Sequence, residues 1–331
     1  MSTPVIAFFN NKGGVGKTSM VYHLSWMFAD QGLHVVAADL DPQSNLTAGF
    51  LDEDRLEQVL RADNHSLTIF GSLKPLKSGI GDIACPHVEL VGERLGLVLG
   101  DMALSTFEDD LSEVWPKCLG GDERSFRVTS AFWRILQQAA DQQEADVILI
   151  DLGPNLGAIN RAALIASDYV VIPLGPDLFS LQGLQNLGPA LRSWRKGWEE
   201  RLVRNPVTEL AMPPGSIQPA GYVVLRHSIR LDRPVKAYQR WIARIPQTYT
   251  ECVLDSRNRS PSTVDNDQNC IAQLKDYRSL MPLAQEARKP MFFLKPADGA
   301  LGAHTYAVQE AYQDFLAVAR KITERAGIKI P

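Results

Sequence analysis

The sequence predicts an α/β protein built on a doubly wound, mostly parallel sheet flanked by helices. Three observations carry this expectation. Residues 5–39 read as strand, glycine-rich turn, helix and strand, a complete βαβ unit. Short continuous apolar runs recur at 35–38, 146–150, 169–172 and 222–225, the pattern of strands buried on both faces. Helical apolar spacing fills the stretches between them, over nearly the whole chain and with no internal repeat or low-complexity tract.

Taken in order, residues 5–9 form the first strand. Residues 17–31 place Met20, Val21, Leu24, Met27 and Phe28 on one helical face, with Gly32 as the stop. The second strand, 35–38, ends at Asp39. Residues 52–126 mix charge, glycine and short apolar pieces; they read as an insertion with one strand at 95–99. Helical period returns at Val128, Ala131, Phe132, Ile135, Leu136 and Ala139, and the next strand runs into Asp151. A helix at 158–166, a strand at 169–172 and a long helix at 182–200 follow, with a second insertion over 192–219. Further on are a strand at 222–225, a helix at 234–244, a polar surface loop at about 255–270 and a last strand at 291–294. Val308, Tyr312, Phe315, Ala319 and Ile322 set the face of the final helix. The expectation is one domain over residues 1–331.

Composition narrows the class. Of 331 residues 45% are apolar and 22% charged, which excludes a disordered chain. With 34 Lys and Arg against 38 Asp and Glu the formal charge is −4, so the surface as a whole does not suit nucleic acid, although a local basic face remains open. The longest uncharged runs are too short and too proline-rich for a membrane span, and the first residues lack a signal-peptide pattern. Four cysteines form no CxxC pair and six histidines no HExxH, so reduced thiols in a cytoplasmic protein are expected.

The chemistry is concentrated at Lys12, Gly13, Gly14, Val15, Gly16, Lys17, Thr18 and Ser19, between the first strand and the first helix. Glycines there let backbone N–H groups turn inward around phosphate oxygens, the helix N-terminus adds positive potential, and Lys17 adds a full charge. The Thr18 hydroxyl suits Mg²⁺. Asn11 stands where the ordinary phosphate loop has glycine, which makes this a variant. Asp39 and Asp41 at the end of the second strand, and Asp151 at the end of the 146–150 strand, would lie beside the loop in a parallel sheet. Asp151 has the pattern of an acid that holds Mg²⁺ through water.

KGGVGKTS, then DLDPQSNLT, then ILIDLGPNLGAINRAALIASDYVVIPL together resemble the ParA/Soj/MinD group of deviant phosphate-loop ATPases. LAQEARKP and GAHTYAVQEA near the end resemble its partition branch. The chain departs from that branch at Gly153, where proline is usual, and in the lengths of 52–126 and 192–219. The resemblance implies an Mg²⁺-dependent ATPase. It makes Lys12 a signature lysine that reaches the phosphates of a second subunit in an ATP-bound homodimer. Asp41 would orient the attacking water, and Asp39 and Asp151 would hold the Mg²⁺ shell. ATP is favoured over GTP because the nearest equivalent of a guanine-reading Asn-Lys-x-Asp is Leu225-Arg226-His227-Ser228. Iron–sulfur and scaffold relatives are set aside for want of the cysteines, and a detachable membrane helix is not expected from the periodicity of the last helix.

Arg226, Arg230, Arg233, Lys236, Arg240 and Arg244 crowd into one stretch against Asp232 alone. Arg192, Arg195, Lys196, Arg201 and Arg204 form a second cluster, offset by Glu199 and Glu200. The first cluster is a candidate DNA-backbone surface, and the resemblance implies non-specific DNA binding by the ATP dimer. The chain opens directly on its first strand, leaving no expected room for an N-terminal helix-turn-helix. Two functions follow: a nucleotide-switched positioning or partition factor for DNA or protein cargo, whose hydrolysis an adaptor or centromere-binding protein stimulates; or an ATP-switched regulatory or assembly factor that binds protein and not DNA.

Overall fold

Val5 and Ala7 of the first strand pack into one layer of helices, and Ile6 and Phe8 into the other. That alternation, with every residue buried, is what a central parallel strand requires. The computed structural model describes residues 2–225, 235–257, 263–277 and 279–331, with the backbone alone for 235–238 and 303. Along the chain lie β1 (Val5–Phe8), α1 (Lys17–Asp30), β2 (Val35–Asp39), α2 (Asn45–Phe50), α3 (Glu53–Arg61), α4 (Ile69–Lys77), β3 (Glu89–Gly92), β4 (Leu95–Val98), α5 (Phe107–Lys117), α6 (Glu123–Thr129) and α7 (Ala131–Gln142). Then come β5 (Val147–Asp151), α8 (Ala158–Ile165), β6 (Tyr169–Leu174), α9 (Leu178–Leu202), β7 (Gln218–Leu225), α10 (Val235–Ile242), α11 (Ile245–Thr248), β8 (Cys270–Leu274), α12 (Leu280–Ala287) and α13 (Ala303–Ala326).

The eight strands form one sheet in the order β3-β4-β2-β5-β1-β6-β7-β8, parallel except for β3 against β4. Helices α5, α7, α8 and α9 cover one face through Leu111, Ile135, Ala162 and Leu184. Helices α1 and α13 cover the other through Leu24, Phe28, Phe315 and Val318. The doubly wound expectation therefore holds. The register places Phe8 and Asp39 beside Asp151 at the C-terminal edge, where such folds bind ligands.

Several expected elements differ. Residues 291–294 do not form a strand: Met291–Phe293 is a single 3₁₀ turn, with Met291 and Phe292 buried against the α1/α13 layer. Pro290 ahead of it has no N–H to give a ladder. The sheet edge beside β7 is taken instead by β8, which begins where a polar surface loop was expected. That loop is also not all surface. Val264 and Asp267 are buried, and the Tyr222 hydroxyl donates to Asp267 Oδ2 at 2.7 Å. The helical run around 128–139 is two helices, parted at Ser130, whose hydroxyl donates to the Phe126 carbonyl at 2.7 Å. Residues 52–126 contain α3 to α5, the start of α6 and the β3/β4 hairpin. The first part of 192–219 is the end of α9.

Candidate functional site

Residues 10–16 leave β1 and turn into α1. Gly14 and Gly16 take φ of +70° and +75°, the left-handed region that glycine enters freely. A Cβ on Gly16 would also stand 2.6 Å from Leu225 Cδ1. No side chain caps α1 and no acidic residue lies in its first turn, so its N-terminal N–H groups are open to an anion. The loop is tied down from below by Asn10, which is buried. Its amide donates to the Pro173 carbonyl at 2.8 Å, and its Oδ1 accepts the Lys12 N–H at 3.0 Å. Lys17 folds under the loop and donates to the carbonyls of Asn10 and Lys12, each at 3.1 Å. Burial lowers its pKa, while the carboxyls of Asp151 and Asp41 oppose that shift.

The three carboxylates all come to this edge, and each is buried. They differ in how their oxygens are engaged. Asp39 Oδ2 accepts both the N–H and the hydroxyl of Thr47 at 2.8 Å, and Thr47 Oγ1 accepts the Gly100 N–H at 2.8 Å. Asp39 thus organises the segments after β2 and β4. Asp41 Oδ1 accepts the Gln43 N–H at 3.0 Å and faces the chain after β5: a Cβ on Gly153 would lie 3.2 Å from it. Neither oxygen of Asp151 has a hydrogen-bond partner, although the nearby Thr18 hydroxyl favours its charged form. Burial, and then the neighbouring Asp39 carboxyl, raise its pKa well above the carboxylate range. Asp39 is raised in the same direction, chiefly by burial.

An orphaned buried carboxylate beside a threonine hydroxyl is an oxygen donor set that fits a hard divalent cation. Among the described residues no three His, Cys, Asp or Glu side chains form a cage of their own. Mg²⁺ held largely by phosphate and water needs none.

A cleft of about 900 Å³ runs from this loop between α1 and α12. Leu225, Leu274 and Tyr277 line it, as does Asp41. His23, also on its wall, hydrogen-bonds through Nδ1 to the Ser19 carbonyl at 2.7 Å, and burial lowers its pKa to about 4. Lys12 points elsewhere. Its Nζ lies 2.5 Å from Asp177 Oδ2, the residue that caps α9 by accepting the Ser180 N–H. Asn10, Thr47 and Asp177 were not legible as site residues. Each acts across a large separation in the chain or through backbone groups, and the short motifs give no sign of them.

The basic residues separate. Arg226, Arg230 and Arg233 lie outside the described residues, as does the side chain of Lys236. Arg240 and Arg244 are exposed on one face, each within 5.4 Å of the Trp241 ring centre. Of the second cluster Arg192, Arg195 and Arg201 are turned inward, while Lys196 and Arg204 are exposed. Arg192 donates to the Cys252 carbonyl, Arg195 to Ile217, Arg201 to Trp115 and Arg204 to Leu119. Those arginines brace α9 against its neighbours. No helix among the described residues is long and apolar enough to cross a membrane.

A glycine loop running into an uncapped helix N-terminus, with a buried lysine folded under it at the switch point of a parallel sheet, belongs to the phosphate-loop nucleotide-binding proteins. The AAA domain family model matches residues 3–203, more than half of the chain, and the chain belongs to that family as a ParA-type P-loop ATPase. It is 33% identical over 187 residues to the virulence plasmid ParA family protein pGP5-D of Chlamydia psittaci, covering 55% of this chain and 61% of that one. It is 27% identical over 186 residues to the chromosome partitioning protein ParA of Myxococcus xanthus, covering 55% and 56%. The chain thus spans about three fifths of the length of these curated relatives. The crystal structure of protein DIP2308 from Corynebacterium diphtheriae has the same fold, with a TM-score of 0.70 at 24% identity over 98% of each chain.

Proposed function

We propose that this protein is an Mg²⁺-dependent ATPase whose ATP-bound homodimer serves as a positioning or partition switch, binding DNA without sequence preference until an adaptor or centromere-binding protein triggers hydrolysis. One observation carries the reading: buried Lys17 and the unpartnered Asp151 converge beneath the open N-terminus of α1, with Asp41 next to them. The backbone N–H groups of 13–17 and the Lys17 ammonium would hold the β- and γ-phosphates. Thr18 and Asp151 would hold Mg²⁺, with Asp39 fixing the adjoining backbone; the bound ion would neutralise charge on the phosphoryl oxygens. Asp41, at the mouth of the site, would accept a hydrogen bond from the attacking water. Lys12 would leave Asp177 and place its charge at the phosphates of the second subunit. The exposed pair Arg240 and Arg244 gives the DNA-binding surface its described part.

Nucleotide binding, turnover and light scattering on Lys17→Ala and Asp41→Ala test this. Lys17→Ala is expected to bind no ATP. Asp41→Ala is expected to bind ATP, accumulate as a dimer and turn over about 10²–10⁴-fold more slowly. Normal turnover in Asp41→Ala would remove the assignment. A dimer that holds no DNA at low salt would favour a switch that binds protein alone.

A further inference from the structure

The chain after Asp151 is braced from two sides, and one of them is the long segment before α6. Residues 153–157 connect β5 to α8 and touch the nucleotide site twice. Gly153 stands against Asp41 Oδ1, and Pro154 against Gly13, where an added Cβ would be 3.9 Å from Pro154 Cγ. Asn160, in the first turn of α8 and buried, reaches back over this loop. Its amide nitrogen donates to the carbonyls of Gly153 at 2.9 Å and Asn155 at 2.6 Å. Asn155 Oδ1 in turn accepts the Gly157 N–H at 2.8 Å. From outside, Glu108 of α5 spans the end of α8: Oε1 accepts the Ala158 N–H at 2.5 Å and Oε2 the Ile159 N–H at 2.8 Å. A carboxylate on two free N–H groups at a helix start is a charge-assisted clamp. It is supplied some fifty positions away in the chain. Arg161 of α8 completes the joint by donating to the Leu111 carbonyl of α5 at 2.9 Å.

We infer that Glu108 and Asn160 are positioning residues for ATP hydrolysis, fixing the 153–157 loop so that Asp41 and the phosphate loop keep their spacing. Neither touches the nucleotide cleft. Both act through Gly153 and Pro154. The inference rests on the ATPase reading above and adds a role for α5 within it. Hydrolysis is the step that feels the loop, because a misplacement of about 1 Å can cost about 10²-fold in rate. Phosphate binding, which would be made by the backbone of 13–17 and by Lys17, depends less on this loop, which meets that segment only where Pro154 packs on Gly13.

The test is steady-state turnover, ATP dissociation constant and thermal midpoint for the full chain, Glu108→Ala, Glu108→Gln and Asn160→Asp. Glu108→Gln keeps one acceptor oxygen of the clamp, while Asn160→Asp keeps the shape and loses the donor. We expect kcat to fall about ten- to a hundredfold in Glu108→Ala and Asn160→Asp, with ATP affinity within about threefold of the parent. Glu108→Gln is expected to recover most of the rate. Unchanged kcat in both, in folded variants, overturns the inference and leaves the ATPase reading standing. A parallel loss of affinity and thermal midpoint, with no recovery in Glu108→Gln, also overturns it, since a merely structural cap would behave so. A parent protein that binds ATP but never hydrolyses it overturns the inference together with the ATPase reading.

Discussion

Lys12 Nζ and Asp177 Oδ2 lie 2.5 Å apart within one chain, so the lysine proposed above to reach a second subunit's phosphates is held at home by the N-cap of α9. Burial alone would raise the Asp177 carboxyl. The Lys12 ammonium and the Ser180 N–H outweigh it and hold the carboxyl below its ordinary value. The two side chains are 30% and 21% exposed, so water weakens the pair.

Asp177→Asn should separate the two jobs of that residue. Asparagine caps a helix about as well as aspartate, so α9 keeps its start, while the tether on Lys12 loses its charge. A symmetric dimer breaks two such pairs, so at about 0.5–1 kcal/mol for each partly exposed pair the ATP-dependent dimer should tighten by about five- to thirtyfold. Light scattering against protein concentration, with Asp41→Ala as the hydrolysis-blocked background, reads this out. A dimer no tighter than the parent's would mean the pair is not a restraint.

The Asp39 and Asp151 carboxyls give a pH dependence of definite sign. Their pKa values are raised in the folded, nucleotide-free protein, so the native state binds more protons than the unfolded chain. Their contribution is whole below the unfolded carboxylate pKa of about 4 and is lost as pH rises through the raised folded values. Asp151→Asn removes a buried carboxyl that has no hydrogen-bond partner and whose ionisation burial opposes. It should raise the thermal midpoint of the free protein at pH 7–8 by about 1–2 °C per kcal/mol relieved. The gain should vanish near pH 4. The same variant should lose Mg²⁺-dependent hydrolysis. Calorimetry at two pH values is enough, and a midpoint that falls at pH 8 would contradict the assignment.

Mg²⁺–nucleotide affinity should fall as pH drops, because the cation needs the Asp151 carboxylate free of its proton. Isothermal titration in two buffers of different ionisation enthalpy should show protons released on binding. No proton release at pH 7 would place the ion elsewhere.

DNA binding, if it belongs to this protein, should be electrostatic. Arg240→Ala and Arg244→Ala should each weaken retention of the ATP-state protein on duplex DNA about equally on all sequences. Each should flatten the log–log salt dependence by about one phosphate contact, or ~0.9 in slope. Basal turnover should not change, since both side chains are exposed and neither lines the nucleotide cleft. Arg230→Ala and Arg233→Ala, from the same stretch of sequence, are expected to behave alike. Loss on one sequence only would point to base reading and away from this account.

How much was legible varied with the range of the interaction. Residues 12–18 form a local device: glycines for positive φ, a lysine and a threonine within one turn, all consecutive in the chain. Strands such as Val147–Asp151 announce themselves because burial on both faces leaves no room for polar residues. Met291–Phe293 misled because a short apolar run is equally suited to a buried turn, and Cys270–Leu274 was passed over because only pairing with β7 makes it a strand. Charge clusters misled for a related reason. Arg192, Arg195 and Arg201 look like a surface on paper, but backbone carbonyls reached through folding consume them.

By itself, then, the sequence determined the nucleotide loop, the carboxylates at two strand ends and the doubly wound sheet, because each is written in neighbouring residues or in a fixed period. Tertiary structure alone decided how those groups differ. Pairing of β2 with β5 brought Asp39 and Asp151 side by side, and Thr47 then occupied one carboxylate while the other was left bare. Packing of α9 against the loop gave Lys12 to Asp177, and α5 lent Glu108 to the start of α8. Such partners lie from eight to more than a hundred residues apart, where no helical or strand period links them. Only the folded backbone sets which charged group finds a counterpart and which is buried without one.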